Sequence, residues 1–110
     1  MNILNRGDVV TVMSRDDLSG RGGLAAVVLS LWEFNELGDV LLAPITSEVD
    51  CRRYAGFAVS LGVTSCKSVG SMLVNKVRMA DLSVFRIEVK GRVTDQVLSQ
   101  ALSRLATLIQ

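Results

Sequence analysis

Five basic side chains, Arg52, Arg53, Lys67, Lys76 and Arg78, are the best candidates for contact with phosphate groups in this chain. They belong to a lopsided charge distribution. Residues 1–50 hold three Arg and no Lys against eight acids, a net of −5; residues 51–110 hold nine basic residues against three acids, a net of +6. The overall charge is only +1, so the asymmetry matters more than the sum. It implies a basic face that meets phosphates or an acidic partner, against the alternative of scattered solvated charges. Basic residues of this kind position a nucleic-acid backbone without specifying its bases. Tyr54 and Phe57 add a possible stacking surface, although Phe57 sits in an alternating segment and reads as core. Cys51 and Cys66 have no neighbouring base in sequence and receive no nucleophilic role. The chain contains no histidine, which excludes an imidazole base and removes the usual nitrogen ligands of zinc.

Positioning these residues falls to a small, strand-rich frame. At 110 residues with 49% apolar and 21% charged side chains, the composition is that of one globular domain with a single core. No apolar run reaches the roughly 18 residues of a membrane helix. The N-terminal residues lack the parts of a signal peptide, so a cytoplasmic protein is expected, with its one cysteine pair as free thiols. Alternation and β-branched content predict strands over Asp8–Ser14, Leu24–Ser30, Asp39–Thr46, Phe57–Leu61, Val69–Val77 and Val84–Val89. A glycine-rich polar loop, residues 15–23, separates the first two, and Leu31–Asn35 predicts one helical turn before Gly38. A C-terminal helix is expected with Thr94 as its cap, Asp95 at the positive end of the dipole and Val93 with Leu98 as a staple. Its apolar face, Val97, Leu98, Ala101, Leu102, Leu105, Leu108 and Ile109, reads as core first and interface second. Many short strands with glycine punctuation predict a small, strongly bent antiparallel barrel.

Several short motifs recur in an order that is informative as a set. Arg6-Gly7-Asp8 opens the first strand. Pro44, Thr46 and Ser47 end the third. Ala55-Gly56-Phe57 restarts an apolar strand, and Gly70, Arg78 and Asp81 follow before the C-terminal Leu105-Ala106-Thr107-Leu108-Ile109. Over nearly the whole chain this resembles the PemK/Kid branch of the MazF-like toxins, the toxin halves of plasmid and chromosomal toxin–antitoxin pairs, most of them endoribonucleases. The resemblance implies an SH3-like antiparallel β-barrel with a C-terminal helix, spanning residues 1–110 as one domain and assembled as a homodimer. It also implies an acidic antitoxin protein and single-stranded RNA as partners, no membrane association and no cofactor or metal.

Family nucleases cut single-stranded RNA by attack of the 2′-hydroxyl on the adjacent phosphorus. That reaction needs a base for the hydroxyl, an acid for the leaving 5′-oxygen and cationic donors for the phosphorane. Where the branch carries an Arg and, two residues on, an Asp, this chain has Leu73 and Asn75. Leu73 donates nothing, and Asn75 keeps the shape of Asp without its capacity to accept a proton at neutral pH. The Arg and Pro of the family's G-x-R-P motif align with Leu24 and Ala25. Weakened cleavage is therefore expected, with Asn75→Asp combined with Leu73→Arg raising it. The candidate catalytic set is Asp8 as base, Arg21 swinging in from the glycine-rich loop, Thr46 donating to a phosphate oxygen, and Asn75; Arg52, Arg53, Lys67, Lys76 and Arg78 are the RNA-binding set. Two alternatives accompany the nuclease. One is an inactive homologue that binds RNA or antitoxin and regulates. The other is a CcdB-like gyrase poison, disfavoured because that branch uses a C-terminal Trp-Gly-Ile where this chain reads Leu108-Ile109-Gln110.

Overall fold

The computed structural model describes residues 4–16, 23–46, 58–61 and 70–109. Strands β1 (Asp8–Ser14), β2 (Leu24–Val28) and β3 (Asp39–Thr46) form an antiparallel meander, with helical turn α1 (Trp32–Asn35) between β2 and β3. Strands β4 (Ala58–Ser60), β5 (Ser71–Leu73), β6 (Arg78–Asp81) and β7 (Phe85–Arg92) follow, and helix α2 (Asp95–Ile109) ends the described chain. The strand order is β4-β5-β3-β2-β1-β7, with β6 also on β3.

The bounds expected for β1 and β3 hold, and α2 begins where Thr94 predicts: the Val97 N–H donates to Thr94 Oγ1 at 3.2 Å. β2 stops at Val28, two residues short of the expected Ser30, and two further expectations need correction. The segment Val69–Val77 is not one strand, because a 3₁₀ turn, Val74–Lys76, separates β5 from β6. Both halves pair with the same edge of β3, β6 against Asp39–Leu42 and β5 against Ile45–Thr46. β3 bends from one sheet into the other along its length, and the turn absorbs the mismatch. The last strand also runs three residues further than Val84–Val89 predicts, to Arg92. Its polar extension is held by pairing with the start of β1, past a register shift at Val9/Val10.

β3 and the meander carry a core on each face. On one side Val10, Ala26, Val28, Val40, Leu42, Ala80 and Ile87 fill the interior of a five-stranded barrel, β6-β3-β2-β1-β7. On the other, Val9, Val27, Leu29 and Ala43 are covered by Val59, Leu61, Met72 and Val74, with Val93 and helix residue Ala101. Burying such a side chain contributes about 1.5–3 kcal/mol relative to leaving it exposed, so this double layer supplies most of the driving force. The turn between β6 and β7 closes the barrel. The Leu82 N–H donates to Gly38 O at 2.8 Å, and Arg15 Nη2 donates to Leu82 O at 2.8 Å. Ser83 donates backbone and side-chain hydrogen bonds to Asp81, which hold that carboxyl below its ordinary pKa.

Helix α2 behaves as core over most of its length, with Val97, Leu98, Ala101 and Leu105 against the second layer. Its end does not: Leu108 and Ile109 are exposed. A buried polar knot fixes α1. Ser30 Oγ accepts the Leu41 N–H and hydrogen-bonds Asn35 Oδ1, while Asn35 Nδ2 donates to Leu4 O at 2.8 Å. Among the described residues no helix is long and apolar enough to cross a membrane.

Candidate functional site

The Arg6-Gly7-Asp8 triplet forms a structural knot at the entry to β1. Arg6 Nε donates to Leu29 O at 2.7 Å, and the Gly7 N–H donates to Val28 O at 2.7 Å. Gly7 has φ +96°, and a side chain there would press on Arg92 and Leu98, so glycine is required twice over. Asp8 is 5% exposed; its Oδ2 accepts the Asn5 N–H at 2.8 Å and its Oδ1 pairs with Arg92 Nη1 at 3.3 Å. The carboxylate is thus tied to the strand entry and to β7.

The registers also separate Asp8 from the end of β3. Val9 pairs with Val27, and Val27 with Ala43. That places Asp8 level with Leu42, four residues short of Thr46, or about 13 Å along the strand and two strand spacings away across it. Asp8, expected as a base, belongs to the fold and does not join Thr46.

At the other end of β3 the structure does bring predicted residues together. Thr46 pairs with Ser71 of β5, and Leu42 with Arg78 of β6. By strand alternation Leu42, Pro44 and Thr46 share one face, joined there by Ser71 and Leu73 of β5 and by Arg78 of β6. Arg78 is exposed and makes no hydrogen bond or ion pair among the described residues. Lys76, also exposed, ends the 3₁₀ turn just before it. Gly70 enters this region at a close approach: an added Cβ would lie 2.5 Å from the Thr46 carbonyl oxygen. A side chain there would displace the end of β3 and with it Thr46.

Asn75 sits in the 3₁₀ turn and not on a strand, contrary to the sequence expectation. The residue is half-buried, and its Oδ1 is closed off from solvent with no hydrogen-bond partner among the described residues. A substrate cannot reach that atom as it stands. Arg21, Arg52, Arg53 and Lys67 lie outside the described residues, as do Tyr54, Phe57, Cys51 and Cys66. No group of three or more His, Cys, Asp or Glu suited to a metal ion occurs among the described residues.

Sequence reasoning missed the concavity beside this face. Each strand of the barrel contributes an inward row, and these rows end at a mouth ringed by Val12, Leu24, Pro44, Arg78 and Phe85, over a floor of Ala26, Leu42 and Ala80. The cavity measures about 310 Å³. Leu24, flagged in sequence only as a lost arginine position, stands 72% exposed at its rim. No local signal marks such a feature, because each strand supplies only one or two of its walls.

The arrangement offers a hydroxyl at Thr46, a lysine and an arginine along one side, and an apolar hollow between strands. Residues 5–109 match the family model of PemK-like, MazF-like toxins of type II toxin–antitoxin systems. The chain is 41% identical over 109 residues to endoribonuclease toxin ChpB of Escherichia coli (strain K12), covering 96% of this chain and 93% of that one. Among solved structures it is similar to MazF in a MazE–MazF complex from Deinococcus radiodurans, with TM-score 0.81, 23% identity and coverage of 98% and 97% of the two chains. It is also similar to an endoribonuclease solved with its cognate antitoxin from a mycobacterial species, with TM-score 0.74, 22% identity and coverage of 99% and 95%.

Proposed function

Since the chain belongs to the PemK-like, MazF-like toxins of type II toxin–antitoxin systems, we propose that it is a growth-inhibiting endoribonuclease that cuts single-stranded RNA in the cytoplasm and is held in check by an acidic antitoxin. The observation that carries this reading is the 41% identity, across nearly the full length of both chains, to a protein that is itself an endoribonuclease toxin. The face bearing Thr46, Lys76 and Arg78 supports it. Arg78 offers a planar fork that fits phosphate bidentately, and Lys76 a compact positive charge. About 13 Å of β3 separates the Thr46 and Arg78 positions, a spacing suited to different phosphates of one strand. Arg52, Arg53 and Lys67 complete the basic set, and Arg21 is the further cation of the glycine-rich loop.

In this reading the 2′-oxygen gives up its proton to solvent water as it bonds to the neighbouring phosphorus, the bond from phosphorus to the 5′-oxygen breaks as that oxygen takes a proton from water, and the cations stabilise the charge that develops on the phosphorane. Neither Asn75 nor Asp8 removes the proton: the first is an amide, the second is ion-paired at the far end of β1. The reaction runs without a metal ion. Incubating the protein with a single-stranded RNA library should produce discrete new 5′-ends by primer extension, undiminished in EDTA. Intact RNA, or cleavage abolished by EDTA, would overturn the reading.

The active form is a homodimer. A small barrel that leaves Leu24, Leu37 and Ile109 each more than 70% exposed has apolar surface to cover, and symmetric pairing is the commonest way to cover it. Sedimentation equilibrium at micromolar concentration should therefore report twice the 11.9 kDa chain mass; a monomer throughout would contradict it.

A further inference from the structure

The end of the barrel that carries α1 has no part in the chemistry above, yet it holds a group of apolar side chains in solvent. Leu31, Trp32, Phe34 and Leu37 are all exposed; Trp32 is 45% and Leu37 78% accessible. All four belong to residues 31–37, a span of about 10 Å at helical rise. Asn35 is the buried residue of this turn, held by Ser30 and the Leu4 carbonyl. Apolar side chains grouped this closely in solvent mark a contact surface. Acids are set among them. Glu33 and Glu36 are exposed on the same turn, and Asp39 follows it, paired in register with Asp81 of β6. Like charges directly opposite on neighbouring strands repel, and a cation brought beside them relieves that. Residues 22–51 hold five acids and no Lys or Arg. Arg6 and Arg15, which reach toward this end from β1, donate to the carbonyls of Leu29 and Leu82.

We propose that the α1 end is a docking surface for a basic protein segment, whose apolar side chain packs on Trp32 and Leu37 while flanking Arg or Lys side chains meet Glu33, Glu36 and Asp39. Charge complementarity selects this occupant. The carboxylates attract cationic side chains, and the faces of Trp32 and Phe34 attract them too, through the quadrupole of the ring. The same acids repel a nucleic-acid backbone or an anionic lipid surface. A second copy of the chain fits worse. A two-fold axis through this end would set the same acids against each other, so symmetric pairing falls to the Leu24 and Ile109 surfaces. The placement matters for function. Asp39 opens β3 and Thr46 closes it, about 23 Å apart along the strand. A segment docked at α1 therefore leaves the face of Thr46 and Arg78 open, and the two surfaces can be occupied together. The inference holds whether or not the chain cuts RNA.

The test reads the fluorescence of Trp32, the only tryptophan of the chain, on the full protein and without any cleavage assay. The probe is a twelve-residue peptide free of Trp and Tyr, with two central Leu residues flanked on each side by Arg. Its titration should move Trp32 emission to shorter wavelength and saturate. The same peptide with Glu in place of Arg should leave the emission where it is. Glu33→Lys combined with Glu36→Lys should weaken binding of the Arg peptide by about three- to tenfold and turn the preference toward the Glu peptide. Leu37→Ser should weaken it by about tenfold. Added salt should weaken binding to the unmodified chain, which tests the charge argument even where a variant fails to fold. The proposal is overturned if the Arg peptide leaves Trp32 emission unmoved, or if the Glu peptide moves it equally. A shift produced by a single-stranded RNA hexamer and not by the Arg peptide would also overturn it. So would a shift that follows protein concentration alone, since a second copy would then cover α1.

Discussion

Asn75→Asp alone should destabilise the protein at neutral pH without restoring a catalytic base. The Asn75 Oδ1 is closed off from solvent and lacks a hydrogen-bond partner among the described residues, so a carboxylate oxygen in its place loses hydration and gains no described donor in return. Burial without a cation pushes a carboxyl pKa up from the unfolded value of about 3.9. The sign follows from linkage: the folded variant binds a proton more tightly than the unfolded chain, so its stability falls as pH rises between the two pKa values. Below about pH 4 the variant should unfold close to the parent. At pH 7 it should be less stable by about 1–3 kcal/mol, which for a chain of this size lowers Tm by roughly 4–8 °C per kcal/mol. Leu73→Arg, two residues away at the end of β5, supplies a cation and should recover part of the loss in the double variant. Any gain in RNA cleavage should therefore appear in the double variant only. Thermal unfolding of the parent, both single variants and the double variant from pH 4 to 8 measures this. An Asn75→Asp variant as stable as the parent at pH 7 would mean that the oxygen has a partner or that solvent reaches it.

What was legible in the sequence was what local pattern dictates. Alternation along Asp8–Ser14 and Asp39–Thr46 marks strands whose two faces meet two different cores, and those bounds hold. Thr94 marks the start of α2 because a cap works through its own next turn. The 3₁₀ turn at Val74–Lys76 was hidden. Met72 and Val74 keep an alternating apolar pattern through it, and the break comes from β5 and β6 sharing one edge of β3. The ion pair of Asp8 was hidden for a similar reason: its partner Arg92 lies 84 positions away, and nothing near Asp8 in sequence announces it. The grouping of Thr46 with Ser71 and of Leu42 with Arg78 is likewise a product of register. Composition could supply the residues of such a face, but only pairing says which of them share it.

Arg78→Ala should cost the largest share of RNA cleavage among the described cations, about 100- to 1000-fold in rate. The position is a test of the face itself. Arg78 is exposed, its side chain makes no hydrogen bond or ion pair among the described residues that its loss would break, and its backbone is fixed by pairing with Leu42. Truncation there should leave the unfolding free energy within about 0.5 kcal/mol of the parent, so a drop in rate reads as lost stabilisation of the phosphate and not as unfolding. Arg78→Lys separates charge from geometry. A point charge restores the electrostatic part and loses the bidentate fork, so the lysine variant should fall between the alanine variant and the parent. Salt supplies an independent check. Each phosphate contact removed lowers the slope of log K against log salt by about 0.7 for a single strand, and Arg78→Ala should lower it by one such step. Lys76→Ala should lower the salt slope similarly while costing less in rate, since a flexible ammonium contacts the phosphate oxygens less specifically than a planar guanidinium fork. Equal rates for the parent and Arg78→Ala, with the salt slope unchanged, would remove β6 from the RNA surface and leave cleavage to cations outside the described residues.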